Sequence, residues 1–152
     1  TRAEFATIVL RGLGIPEEHA ADAAPFRDVT SADWFGGEVS TAYAYGLIQG
    51  YTDGTFRPHN AITREEAAAI LVKAAAIAGF GGASDVSDAA GLLGGFADGG
   101  AVSEWARAAM AAAVDAGIVS GKSGGALDPK APATRAETAV LVRNLLIAAK
   151  LI

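Results

Sequence analysis

The chain has 152 residues, with 12 Lys and Arg against 17 Asp and Glu, a formal net charge of −5, no cysteine and two histidines. These counts exclude disulfides, thiolate zinc sites and cysteine nucleophiles, and they argue against binding nucleic acid by general electrostatics. Alanine (36 residues) and glycine (19 residues) form about a third of the chain, which suits close helix contacts, and the apolar runs 74–84 and 39–52 fall short of the ~18–20 residues a membrane-spanning helix needs.

The first element read along the chain is a helix. Thr1-x-x-Glu4 is a capping box, and Phe5, Ile8, Val9 and Leu13 follow at helical spacing. This opening reads as helix rather than leader peptide, and it also fits a mature fragment of a secreted protein. Next comes an Asp-containing entry, Phe26-Arg27-Asp28-Val29, and then Trp34 near the start of a second helix with Val39, Ala42 and Tyr43 facing inward. Gly46 falls where a left-handed C-cap is expected. The loop Gly50-Tyr51-Thr52-Asp53-Gly54-Thr55-Phe56 leads to Pro58, which stiffens its exit. A third helix starts at the capping box Thr63-x-x-Glu66 and carries Ala67, Ile70, Leu71, Ala74 and Ile77 on its inner face.

Six glycines between 79 and 95 mark 81–95 as a linker, with a short turn expected near 86–90. The grammar then repeats. Phe96-Ala97-Asp98 is the entry, Trp105 precedes a helix with Met110, Ala113 and Val114 inward, and Gly117 is its C-cap. The loop Gly121-Lys122-Ser123-Gly124-Gly125-Ala126-Leu127 leads to Pro129 and the capping box Thr134-x-x-Glu137. Leu141, Val142, Leu145 and Leu146 face inward in the last helix.

A shift of 71 residues pairs Trp34 with Trp105, Gly46 with Gly117, Gly50 with Gly121, Pro58 with Pro129 and Thr63-Arg64 with Thr134-Arg135. A shift of 62 pairs Thr1-Arg2 with Thr63-Arg64. The chain therefore divides into the second half of a repeat (1–25), a full repeat (26–80), the linker (81–95) and another full repeat (96–152). Such helical pairs bury little alone and need neighbours to complete a core.

Arg2, Arg64 and Arg135 each follow a capping Thr. A helix N-terminus carries partial positive charge, so a cation there is mildly unfavourable. Its threefold recurrence suggests either an anion site, built with the free N–H groups, or pairing with Asp28, Asp98 or a nearby Glu that locks repeats together. Trp34 and Trp105 could stack on a sugar ring or plug a core poor in large residues. Gly50 and Gly121 could admit a ligand or a neighbouring helix, or could be plain turn glycines. Tyr51 is matched by Lys122, a swap that would give grooves of different polarity, although a solvated lysine is the plainer reading. Asp53-Gly54-Thr55 lacks the further ligands of a calcium loop. His19 and His59 lie in no ligand-spaced cluster, and no catalytic constellation recurs with the repeat. No cofactor, metal or catalytic set is expected.

The run from Phe26-Arg27-Asp28-Val29 through Trp34, Ala44-Tyr45-Gly46-Leu47-Ile48-Gln49-Gly50-Tyr51, Asp53-Gly54-Thr55-Phe56-Arg57-Pro58 and Ile62-Thr63-Arg64-Glu65-Glu66-Ala67 resembles the S-layer homology (SLH) domain. The last repeat departs from it, with Gly124 in place of Asp53 and Asp128 in place of Arg57. The resemblance implies an all-α fold of helix-loop-helix repeats, packed as a pseudo-threefold, three-lobed assembly around a central bundle. It implies a non-catalytic, extracellular anchor that holds an S-layer or surface protein on secondary cell-wall polysaccharide, including polymers that bear a pyruvylated amino sugar. The expected ligand contacts are Arg2, Asp28, Trp34, Gly50, Tyr51, Arg64, Asp98, Trp105, Gly121, Lys122 and Arg135. Arg64→Ala is expected to weaken polymer binding more than it lowers the melting temperature. The alternative is a structural interaction module, a homo-oligomer completed through the incomplete first repeat. With a net negative charge, recognition of an anionic polymer should be short-range and pocketed and should draw on several grooves at once.

Overall fold

The computed structural model describes residues 1–18, 24–80 and 88–152. Its helices are α1 (Arg2–Gly12), α2 (Gly36–Ala44), α3 (Arg64–Ile77), α4 (Ala89–Gly94), α5 (Arg107–Asp115) and α6 (Arg135–Ala148), with short 3-10 turns at Gly99–Ala101 and Glu104–Ala106. The fold is all-α. Among the described residues the only extended pairing is an isolated bridge between Thr63 and Pro132. No described helix is long and apolar enough to cross a membrane.

All three predicted capping boxes form. The hydroxyls of Thr1, Thr63 and Thr134 accept from the N–H groups of Glu4, Glu66 and Glu137, and each Glu returns to the cap backbone. The sequence specifies these starts locally, because both partners lie within one turn. The ends of α2 and α5 are equally local. Gly46 and Gly117 take φ of 71° and 67°, and the N–H of Leu47 reaches Ala42 O while that of Ile118 reaches Ala113 O, both at 2.9 Å. These are Schellman closures that put an apolar residue, Leu47 or Ile118, back onto the helix it follows.

The chain forms two compact units, Thr1–Ala61 and Ile62–Ile152. In the first, α1 packs on α2, and Phe5, Val9, Leu10, Phe35, Val39, Leu47, Ile48 and Phe56 are buried. In the second, α3 packs on α5 and α6, and α4 packs on α5. Its core mixes Leu71, Met110, Ile118, Leu127 and Leu145 with Ala67, Ala74, Ala75 and Ala113. The alanines let helix axes come close, as the composition anticipates.

Some inward assignments are corrected. Tyr43, Ile8 and Ile77 are about two-fifths exposed. Tyr43 instead sets its ring edge-on to Phe26 at 5.3 Å. The second half of the expected linker is ordered. Asp88 caps α4 through the Gly91 N–H, and Leu93 is buried. Residues 81–87, and with them the first two residues of the turn expected near 86–90, lie outside the described residues, as does His19.

Candidate anion groove

Each Asp-containing entry holds the glycine-rich loop of its own repeat. Asp28 accepts the Phe56 N–H at Oδ1 and the Arg57 N–H at Oδ2, both at 2.8 Å. Asp98 does the same for Leu127 (2.7 Å) and Asp128 (2.8 Å). The Leu127 N–H, the leading cause, holds the Asp98 carboxyl below the usual carboxylate range. Both oxygens are committed, so these two aspartates, expected among the ligand contacts, serve as loop clamps. The clamp turns the following residue into left-handed backbone, with φ of 56° at Arg57 and 48° at Asp128.

The clamped loop then receives the arginine of the preceding capped helix. Arg2 donates Nε to Phe56 O at 2.8 Å, and Arg64 donates Nε to Leu127 O at 2.6 Å. Arg64 also donates to Ser120 O at 3.1 Å and to Glu137 Oε1 at 3.2 Å. Arg2 is only 6% exposed and Arg64 only 5%. The two guanidiniums are therefore largely enclosed, and Arg64 pairs with a Glu, Glu137, one of the kinds of partner the sequence offered. Arg135 is exposed.

Around Arg64 the second unit opens a cavity of about 240 Å³, lined by Ile118, Ser120, Gly121, Lys122, Glu137 and Val140 among others. Glu137 organises it. One oxygen, Oε2, accepts the Thr134 N–H at 2.7 Å. The other, Oε1, lies 3.2 Å from Arg64 and 3.0 Å from Lys122. The Thr134 backbone, then Lys122 and Arg64, hold its carboxyl down at about 2. Lys122 also reaches Asp128 at 3.1 Å, and Glu137 first, then Asp128, raise its ammonium pKa. Lys122 is thus tied to two carboxylates and is not simply solvated. It is also the more accessible cation, with about a third of its side chain exposed. The sequence identified Arg64, Gly121 and Lys122 but read Glu137 only as a cap. Its second role has no local signature, since Arg64 lies 73 residues away.

The equivalent loop of the first unit is aromatic. Arg57 stacks on the Tyr51 ring at 4.0 Å and Arg2 on the same ring at 4.8 Å. Arg57 pairs with Asp53 at 2.9 Å. The Tyr51-to-Lys122 swap thus comes with an Arg57-to-Asp128 swap, so cation and partner exchange places between the two loops. Gly50 and Gly121 each make room for the entry phenylalanine of their own repeat. A Cβ on Gly50 would lie 2.4 Å from Phe26 Cε1, and one on Gly121 would lie 2.9 Å from Phe96 Cε1. Trp34 and Trp105 are 62% and 61% exposed, so neither is a core plug. The Trp34 and Phe35 rings lie nearly perpendicular with their centres 5.4 Å apart.

Repeated capped helices, two of which seat an arginine in a clamped loop, with exposed indoles and a charged groove, are the parts of a helical repeat module. The family model for the S-layer homology domain matches residues 25–68 and 95–139, and the chain belongs to that family. It is 37% identical over 147 residues to an amylopullulanase of Thermoanaerobacterium thermosulfurigenes, covering 96% of this chain and 7% of that protein. It is 37% identical over 147 residues to the exoglucanase XynX of Acetivibrio thermocellus, covering 96% of this chain and 13% of that protein. It is 33% identical over 144 residues to the surface-layer 125 kDa protein of Lysinibacillus sphaericus, covering 93% of this chain and 11% of that protein. The chain spans only these small fractions of its curated relatives. The S-layer homology domain is a non-catalytic, extracellular module that anchors surface proteins to the cell wall.

Proposed function

We propose that this chain holds a surface protein on an acidic cell-wall polysaccharide and that the groove around Lys122 receives a carboxylate of that polymer, such as the one a pyruvylated amino sugar carries. The observation that supports the reading is the 240 Å³ cavity, where an accessible ammonium and an enclosed guanidinium flank a wall formed by Ile118 and Val140. Lys122 meets the incoming anion. Asp128, about half exposed, gives way, while Glu137 stays fixed by the Thr134 N–H and Arg64. The apolar wall receives the uncharged part of the sugar. Trp34 and Trp105 offer stacking faces, one in each unit. Residues 1–25 act as the second half of a first repeat, with α1 serving the loop of residues 50–58.

The test is co-sedimentation with purified wall polymer, with and without its acidic substituents. Lys122→Ala is expected to weaken retention about tenfold without changing the melting temperature by more than a few degrees, and removing the acidic groups should weaken the parent chain to the same level. Equal retention of variant and parent would remove Lys122 from the site. The enclosure of Arg2 and Arg64 favours a second reading, in which these arginines serve assembly and the module's main work is association. Light scattering separates the two: a monomer that retains polymer supports anchoring, and an obligate oligomer with no polymer affinity supports assembly.

A further inference from the structure

The tip of the glycine-rich loop in the first unit carries two guanidiniums that the fold does not need. Arg27 is exposed, and one of its terminal nitrogens donates to Asp53 O. Its guanidinium lies along Gly54, where an added Cβ would meet Arg27 Nε at 3.3 Å. Arg57 is 44% exposed in its side chain and pairs with Asp53 Oδ2 at 2.9 Å, while its fork stacks on the Tyr51 ring at 4.0 Å. Asp53 is itself pinned, because its Oδ1 accepts the Thr55 N–H at 3.0 Å and the Thr55 hydroxyl at 2.6 Å. One carboxylate thus orients two guanidiniums. A guanidinium offers five N–H donors, and among the described residues Arg27 and Arg57 each commit one side-chain nitrogen, to Asp53.

The second unit shows that this cluster is not what shapes the loop. Ala97, Gly124 and Asp128 stand where Arg27, Asp53 and Arg57 do. The backbone follows the same path without them. The Arg27 N–H reaches Gly54 O at 3.0 Å, and the Ala97 N–H reaches Gly125 O at 3.1 Å. The aspartate clamp and the left-handed residue recur as well. Two cations against one carboxylate leave an excess positive charge on the first loop, in a chain whose net charge is −5.

We infer that Arg27 and Arg57 form a binding site for a phosphate ester at the tip of the 50–58 loop, separate from the groove around Lys122. A carboxylate has two oxygens, which one guanidinium fork satisfies. A phosphate monoester presents three acceptor oxygens and about −1.5 to −2 charge, so it engages two forks at once. The inference does not rest on the carboxylate reading of the Lys122 groove.

The test follows the arginine Nε–H signals of the whole chain by NMR at low ionic strength. Glucose 1-phosphate, inorganic phosphate and glucuronate are the probes. Glucose 1-phosphate is expected to shift the Arg27 and Arg57 signals along a saturating curve, with an affinity at least tenfold above that of glucuronate. Arg27→Gln should lower that affinity at least fivefold. Arg57→Lys, which keeps the charge and loses the fork, should do the same. Lys122→Ala should leave the curve unchanged. An Arg27→Gln chain that binds like the parent overturns the proposal. So does an equal response to glucuronate, or an equal drift of the exposed Arg135 and Arg143 signals, which marks diffuse charge screening. Binding of inorganic phosphate with no response to glucose 1-phosphate assigns the site to the free ion and overturns the ester.

Discussion

Glu137 divides its carboxylate between a helix cap and a cation pair, and that division has a pH consequence. Its folded pKa of about 2 lies below the ordinary 4.5. A depressed folded value adds stability above the unfolded pKa and loses it as pH falls through the folded one. Urea unfolding should therefore give a constant free energy from pH 7 to about 5.5 and a falling one between about 5 and 2. Glu137→Gln should flatten part of that fall. Asp53, held near 2 chiefly by the Thr55 hydroxyl and then Arg57, titrates in the same direction. The glycines make a sharper test. Gly50→Ala meets both the Phe26 ring and Thr55 O at 2.7 Å, whereas Gly121→Ala meets the Phe96 ring at 2.9 Å and Ala126 O only at 3.5 Å. Overpacking of this kind costs about 1–3 kcal/mol, so Gly50→Ala should lie near the upper end and Gly121→Ala near the lower in the same urea assay. That the two glycines sit in a bend is legible in the sequence. That they make room for a phenylalanine 24 or 25 positions earlier is not, because the spacing carries no periodic signal.

At the scale of elements, what the sequence specifies well is whatever closes within one turn. The three capping boxes and the glycine C-caps form as their local patterns require. The seating of Arg64 was not readable, because its main acceptors are the backbone carbonyls of Leu127 and Ser120, and a carbonyl leaves no mark on residue identity. Its enclosure also revises the expectation for Arg64→Ala. Removing one partner from a buried, hydrogen-bonded charge network costs about 3–5 kcal/mol. The variant should therefore lose stability outright, with a large drop in melting temperature by calorimetry, and any loss of polymer retention will follow from that. Asp98→Ala removes the acceptor of two loop N–H groups and should cost about 2–3 kcal/mol, read as a shifted urea midpoint. Tyr43, Ile8 and Ile77 mark the other limit. Helical spacing places them on an apolar stripe, but the width of that stripe is set by what packs opposite, which spacing does not encode.

For the whole molecule, the indoles offer the clearest separation of binding from stability. Trp34 and Trp105 are mostly exposed, so Trp34→Ala and Trp105→Ala should each change the urea midpoint little. If each unit offers one stacking platform to a repeating polymer, each single variant should weaken retention about tenfold, and the pair should do so by the product of the two, as expected for linked sites. A double variant that binds like the parent would take the indoles out of recognition. Helical class and the family itself were open to reading, because they rest on composition and recurring motifs. Which cation remained accessible was not, since Arg64 and Lys122 look equally free on paper until the loop closes over one of them.

The compact bodies are out of phase with the sequence repeats. The first closes at Ala61 and the second opens at Ile62, inside the repeat read at 26–80, because α1 and α3 are each completed by the loop that comes after them. The heritable quantum is therefore the period and not the body. Excising 71 residues from a starting point between the end of α1 and the end of α3 re-pairs a guanidinium with three waiting carbonyls. Excising half that length strands one or the other. A lineage that lengthens or shortens such an anchor can move freely in whole periods and pays in stability for every fraction.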